Sequence, residues 1–323
     1  MNSSSQQTFS ERFFMFAGFW LISWSAVLLN ASILYFSLKK NKIEGEFKYF
    51  IANLAFINCL YCLSNIFQGI FFIFIHYDGV FCSAVAVLSV YVGEATGSAL
   101  VPVAFNRYIA ILRPELYDQI FKSKRFCFLI CLFFDLFALA GSLINLPFVE
   151  YGRSRSSLYC WGQWSDQGRK SVYLAVQTLY ALILIAPYLY VLVASLCVRK
   201  RLEKQMVLSK RLAQKLTLRR SQELVKATLF QAVLPLILAI PVIFCGAVLS
   251  VFVSGATERP LWYTLMTNSS VLVFNSGPLI DAFVTYWVLG PYARAIRGCF
   301  SLSNRQNQAE NNGPKPDQME AEL

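Results

Sequence analysis

The 323-residue chain is short of charge. Asp, Glu, Lys and Arg make up 15% of it, where a soluble globular domain carries roughly 25%. No polar stretch is long enough to form a soluble domain of its own, although the length alone suggests about two. Histidine is nearly absent, with His76 the single copy against nine cysteines, so neither a zinc centre nor a Cys/His nucleophile pair has enough ligands or bases. No metal, cofactor or catalytic residue set is expected, and a soluble enzyme is excluded. Internal repeats are also lacking, and the prolines fall in no matched pairs, which argues against a transporter built from inverted halves. The net charge of +11 does not by itself indicate a nucleic-acid partner, which needs a clustered basic surface on a folded domain.

What the chain has is apolar length. Hydrophobic residues make up 56% and aromatics 15%, and the mean hydropathy is +0.50. A helix crosses the roughly 30 Å hydrocarbon core with about 20 mostly apolar residues. Seven runs qualify, near 13–38, 47–75, 82–111, 125–149, 172–198, 225–253 and 262–289. The third is interrupted by Gly93, Glu94, Thr96, Gly97 and Ser98. Small and hydroxylated residues are what helix-packing faces use in lipid, so this run is expected at the centre of the bundle. The fold class is therefore an all-α membrane protein, a seven-transmembrane helix bundle over 13–289. A short extracellular segment (1–12) precedes it; an amphipathic juxtamembrane helix (290–300) and a disordered cytoplasmic tail (301–323) follow.

The basic residues set the direction. Of the 29 Lys and Arg, 23 lie on the side of the first, third and fifth connections and the carboxyl tail, counting those at the adjoining ends of the spans. By the positive-inside bias, the amino terminus is extracellular and the tail cytoplasmic. A seven-span ligand-gated channel of the insect olfactory type has the opposite orientation. The leader MNSSSQQTFSER is not basic, and the first apolar run is followed by Lys39, Lys40 and Lys42. That pattern marks an uncleaved span rather than a signal peptide. Asn2-Ser3-Ser4 is a glycosylation sequon on the outer side. The fifth connection, 199–224, is the most basic segment, and Leu208, Leu212 and Leu216 recur every four residues, a helical period. It suits anionic lipid headgroups and a protein partner alike. Cys299 is a candidate for palmitoylation beside the inner surface.

Cys59, Cys62, Cys127, Cys131, Cys197 and Cys245 lie in apolar runs and read as small buried hydrophobes. Cys82, at the outer end of the third span, and Cys160, in LYCWGQW, lie on the oxidising side where a stable disulfide is expected. Twenty-five residues after Cys82 comes Arg107, within Asn106-Arg107-Tyr108 at the inner end of the same helix. Here the chain resembles the rhodopsin-like G-protein-coupled receptors, which have a Cys and an (Asp/Glu)-Arg-Tyr triplet at this separation. Asn53-Leu54-Ala55-Phe56-Ile57-Asn58-Cys59-Leu60 is similar to the family's second-helix motif, and Asn30 to the Asn of its first helix. Pro187 and Pro235 or Pro241 stand where the fifth and sixth helices carry kinking prolines, and Asn275-Ser276-Gly277-Pro278 resembles a loosened seventh-helix Asn-Pro motif. FNRYIAILRP running into YDQIF, with a Phe-rich core, is most similar to the nematode serpentine chemoreceptors. The chain departs from the family pattern in five places: Asn106 replaces the acid of the triplet, Asn58 the second-helix Asp, Asp281 stands three residues after Pro278 where Tyr is usual, the fourth span lacks the usual Trp, and the sixth lacks a Cys-Trp-x-Pro. The resemblance implies a plasma-membrane receptor that couples an outer ligand, a small organic molecule or a peptide, to a heterotrimeric G protein through Asn106, Arg107 and Tyr108. It implies no enzymatic activity.

Ionisable groups at membrane depth carry functional weight because they are costly there. Glu94 lies about 18 Å below Cys82 and about 20 Å above Arg107 at the helical rise of 1.5 Å, near the midplane. It is expected to anchor a polar or cationic ligand, to act as a proton-sensitive switch, or, protonated, to bond a neighbouring helix. Asn30, Asn58 and Asp281 fall at one depth and, with Asn275, form a candidate polar layer that rearranges on activation; helix glue is the alternative. Asp135 has no partner evident in the sequence. Candidate ligand contacts are Ser89, Tyr91, Glu94, Tyr180 and Trp262. Ser89 stands seven residues after Cys82, where amine receptors carry Asp, and 262–289 contains no Lys. These two features exclude an aminergic site of that form and an opsin-type Schiff base.

Overall fold

Lipid offers the backbone no hydrogen-bonding partner, so an apolar chain in it must satisfy its amides internally, and helices do so within one segment. The structure, a computed structural model, describes residues 9–39, 43, 45–73, 80–121, 123–144, 149–153, 160–164, 170–208, 212–245 and 261–296. Helices α1 (Phe9–Leu38), α2 (Phe47–Ile73), α3 (Val80–Leu112), α4 (Pro114–Ile120) and α5 (Lys124–Ile144) lead to strands β1 (Val149–Arg153) and β2 (Cys160–Trp164). Then come α6 (Lys170–Leu208), α7 (Leu212–Ile243), α8 (Leu261–Asn275) and α9 (Gly277–Val288), with a last short helix, α10, over 290–296. Among the described residues six spans are long and apolar enough to cross a membrane, with α8 and α9 counted as one. The 39-residue α6, apolar over 172–198, provides the seventh.

Helix α3 is the axis of the bundle. It packs on α2, α5, α6 and α7, and its residues 94–104 are buried throughout. Its small side chains allow this closeness: a Cβ on Gly97 would lie 2.7 Å from Tyr188 Cε2 on α6. By contrast α5 turns Phe128, Leu129 and Phe133 outward, each more than half exposed, as a lipid-facing helix should. The interrupted third run is thus the central one, and of its interruptions Glu94, Thr96, Gly97 and Ser98 are buried.

Three boundaries differ from the ends of the apolar runs. The fourth span stops at Ile144 rather than 149, and Val149 opens an antiparallel hairpin in which it faces Trp164 and Arg153 faces Cys160. Pro147 follows the helix in sequence; it lacks an amide donor and disfavours helical geometry in the residue before it. The hairpin packs on α3. On the inner side, α6 runs on to Leu208 and α7 begins at Leu212. Both continue beyond the apolar runs 172–198 and 225–253, because helix in water needs only propensity and a packing face; Leu208, of the four-residue leucine period, is exposed and does not provide it. Val198, Leu202, Leu218 and Val225 form one buried cluster there. The outer end expected for the sixth span, beyond 245, lies outside the described residues.

The seventh span is two helices broken at Ser276. Pro278 donates no amide hydrogen, and Gly277 carries the propensity penalty of a missing side chain, so the helix restarts with Pro in its first turn. The third connection also holds a helix that was not expected: α4 begins on Pro114, the residue type best suited to a first helical position. The juxtamembrane helix is present through 296, docked by Tyr292, whose ring is fully buried and whose hydroxyl lies 2.6 Å from Ser37 Oγ on α1. Burial pushes that phenol above its ordinary range. Asn2, His76, Cys299 and the tail 301–323 lie outside the described residues.

Candidate functional site

The residues expected to share one depth do meet. Asn58 Nδ2 lies 3.4 Å from both Asn30 Oδ1 and Asp281 Oδ2, and all three residues are at most 2% exposed. Asn30 Nδ2 donates to Ala26 O on its own helix and to Pro278 O on α9 (2.9 and 3.0 Å). Asn275, at the break between α8 and α9, accepts from Tyr61 Oη at 3.1 Å. Two members were missed in the sequence. Gln231 on α7 donates to Thr285 Oγ1 at 3.0 Å, and Thr285 in turn donates to the Asp281 carbonyl at 2.9 Å. A lone amide inside an apolar run was the available signal for Gln231. The junction therefore joins α1, α2, α7 and α9 through neutral donors around one carboxyl. It also leaves acceptors over, since Asn58 Oδ1, Gln231 Oε1 and Asp281 Oδ1 are buried without a donor among the described residues.

At the inner end of α3, Asn106 is fully buried and Tyr108 is 36% exposed. Between them Arg107 bends back under the bundle. Its Nη2 donates to Asn106 Oδ1, its Cζ lies 5.3 Å from the centroid of the Phe47 ring at the start of α2, and the Tyr117 side chain on α4 is its other polar neighbour. Among the described residues no ion pair joins Arg107 to Glu46, Glu115 or Asp118. Phe47 and Tyr117 were not foreseen. An aromatic residue beside a half-buried arginine gives no sequence signal when the two lie 60 positions apart, as Phe47 and Arg107 do, and Tyr117 sits on a short helix that was not expected.

The candidate ligand contacts do not converge as a group. Ser89 Oγ lies 2.6 Å from Ser64 Oγ and accepts from Gln68 Nε2 at 3.2 Å, so it stitches α3 to α2. Tyr91 packs against the buried α2–α3–α6 cluster. Trp262 is 49% exposed and meets Tyr263 edge-on. The side chain of Tyr180 lies outside the described residues. Glu94 has unused capacity: it is 3% exposed and, among the described residues, neither carboxyl oxygen has a partner. Asp135 does have one, accepting from Asn53 Nδ2 on α2 at 3.2 Å. An apolar cavity of about 440 Å³ lies between α3, α5 and α6, against Val101, Phe105, Phe134 and Pro187; it holds none of the candidate ligand residues.

Cys82 is disulfide-bonded, while Cys59, Cys62, Cys127, Cys131, Cys197 and Cys245 are free. Strand β2, which opens on Cys160, packs on α3. Among the described residues no group of three or more His, Cys, Asp or Glu is placed to hold a metal.

Comparison with known proteins agrees with this geometry. No curated protein sequence matches the chain. The crystal structure of squid rhodopsin is similar to it with a TM-score of 0.64 at 17% identity, over 93% of this chain and 88% of that one; at that identity the likeness is one of fold. The model of the 7 transmembrane receptor (rhodopsin family) matches residues 29–288, which include the polar junction, the Cys82–Arg107 helix and the broken seventh span. The chain is a multi-pass membrane protein and belongs to the rhodopsin family of seven-transmembrane receptors.

Proposed function

We propose that the protein is a plasma-membrane receptor that detects a small organic ligand from outside and activates a heterotrimeric G protein through the cytoplasmic face around Arg107. The observation that carries this reading is the placement of Arg107. A permanently charged guanidinium stands at the inner end of the central helix, within the segment that matches the receptor family, on the side where 23 of 29 basic residues collect. In this reading the amino terminus and Asn2 are extracellular, Cys82 bonds Cys160 and ties the hairpin over α3, and Cys299 takes a lipid chain. The nematode-like motifs favour a chemosensory role, and a peptide ligand is the second reading within the same fold.

Glu94 is the proposed anchor of the ligand. A buried carboxyl with both oxygens unpartnered is costly until something bonds it. A ligand amine, amide or hydroxyl reaching the middle of α3 supplies that bond. Asn30, Asn58, Asn275 and Asp281 are the proposed layer through which ligand binding biases α7 and α9, by its differential affinity for two arrangements of the bundle.

The test is nucleotide exchange on a panel of G proteins in membranes holding the native chain or Arg107→Ala at equal surface expression. Exchange above that of empty membranes, lost in the variant, is the expected result. An ion current or substrate flux with no exchange on any G protein would overturn the reading in favour of a channel or transporter.

A further inference from the structure

We infer that Phe47 and Tyr117 are positioning residues that hold Arg107 in the resting receptor by an uncharged clamp, in place of the acid that Asn106 lacks; the inference rests on the reading of Arg107 as the G-protein contact. The triplet here has no carboxylate, and no ion pair restrains the guanidinium among the described residues. Yet Arg107 is half-buried rather than extended into solvent. It lies with Cζ 5.3 Å from the Phe47 ring centroid, bonded to the Asn106 amide oxygen and beside the Tyr117 side chain. A guanidinium is planar and weakly hydrated, and it is attracted to an aromatic face by the ring quadrupole. Lysine in the same place would be a poor substitute.

Both aromatic residues are preset by packing. Phe47 opens α2 directly after a turn through Gly45, whose φ is +89° and whose missing Cβ leaves the ring its space: a Cβ there would stand 3.2 Å from Phe47 Cδ1. Tyr117 stacks on Phe121 at 5.1 Å. Phe121 is itself fully buried against Phe50 of α2 and Phe105 of α3. The clamp thus fixes α4 and the start of α2 to the end of α3. Release of Arg107 toward α7 requires it to leave the ring and break the Asn106 bond, with no ion pair to separate. A restraint of this kind is weak at high and low salt alike, because it contains no ion pair to be screened.

Phe47→Leu keeps the apolar volume and removes the π face; Phe47→Tyr keeps the face. Ligand-independent nucleotide exchange on the G-protein panel is measured for both at matched surface expression, alone and combined with Arg107→Ala. Phe47→Leu is expected to raise exchange about 2- to 30-fold, the population ratio that a cation–π contact spans. Phe47→Tyr should stay at the native level, a split from Phe47→Leu that apolar packing alone would not produce, and Phe47→Leu with Arg107→Ala should show no more exchange than Arg107→Ala alone, as the coupling reading requires. A second readout needs no G protein. Spin labels at Leu116 on α4 and Arg219 on α7, both exposed, report the width of the inner face in a background lacking the exposed Cys197. Phe47→Leu should shift the distance distribution toward longer separations and Phe47→Tyr should not. That shift without exchange in any variant would uphold the clamp and overturn the coupling reading. Equal behaviour of Phe47→Leu and the native chain in the distance measurement, or of Phe47→Tyr and Phe47→Leu, would overturn the clamp.

Discussion

Gly93 and Gly97 lie four residues apart on α3, and the structure gives them opposite surroundings. Alanine gains about 1 kcal/mol over glycine in a helix interior, and this term is common to both sites. At Gly93 an added Cβ meets nothing within 4 Å, so Gly93→Ala should be neutral or stabilising. At Gly97 the same atom would stand 2.7 Å from Tyr188 Cε2 and 3.0 Å from Cζ, well inside a normal carbon contact of about 3.5–4.0 Å. The Tyr188 ring is 7% exposed and wedged among Ala95, Ala99, Val191 and Ala194, so it has little room to retreat. Overpacking of this kind costs about 1–3 kcal/mol. Set against the common gain at Gly93, the two alanine variants should differ by on the order of 2–10 °C in apparent melting temperature.

The assay is heating of detergent-solubilised receptor followed by the fraction that stays monodisperse. Apparent midpoints of an irreversible transition are compared at one heating rate, since they depend on it. Tyr188→Leu supplies the cycle, because removing the ring should abolish the penalty of Gly97→Ala, with a coupling of the same size as the clash. If Gly97→Ala matches Gly93→Ala, or if Tyr188→Leu leaves the penalty intact, then α3 and α6 are not in the close contact described, and α3 is not the axis on which the bundle is packed.

Four other outcomes are expected. Arg107→Ala should abolish G-protein exchange without lowering surface expression. Phe47→Leu should raise ligand-independent exchange about 2- to 30-fold while Phe47→Tyr does not. Asn58→Leu withdraws the donor shared by Asn30 Oδ1 and Asp281 Oδ2 and should lower thermal stability by about 1–3 kcal/mol for each buried acceptor left alone, read by the same heating assay. Ser37→Ala should loosen α10, seen as faster amide hydrogen exchange over 290–296, because Tyr292 Oη loses its partner; adding Tyr292→Phe should restore much of the protection, since removing both partners is far cheaper than removing one.

The sequence carried the helices and the depth at which polar groups meet, because both follow from the 1.5 Å rise and the cost of polarity in lipid. Asn30, Asn58 and Asp281 were placed together from helix position alone, and the bonds at 3.4 Å follow from that. Rotation about the helix axis was not legible in the same way. Ser89 faces α2 and Trp262 is half exposed, though both had the right height for a ligand pocket. The partner of Asp135 was missed for the same reason: Asn53 lies at a matching depth, but only packing shows which face of α2 it occupies. The hairpin 149–164 escaped notice because five-residue strands beside a membrane span carry no long period. Phe47 and Tyr117 escaped because their role depends on a loop and a short helix folding back under α3.

The contacts that hold the inner half together share one property, and it bears on how the receptor switches. Gln231 reaches Thr285 by a neutral bond at 3.0 Å, Asn58 reaches Asp281 through an amide, Tyr292 meets Ser37, and Arg107 rests on a ring. A neutral hydrogen bond contributes about 1 kcal/mol net, and a cation–π contact is of similar size. No one of these contacts can hold a resting state alone, but several of them together bias it by a few kcal/mol. That is the range in which a minor open state is populated at 0.1–10% and a ligand with modest differential affinity can tip it. An arginine–carboxylate lock would place more of the bias in one pair; here it is spread over α1, α2, α3, α4, α7, α9 and α10. Loss of any single contact should therefore raise basal activity in part. Only the combination of Phe47→Leu with Gln231→Leu, which releases both α3 and α7, should approach full activity without ligand.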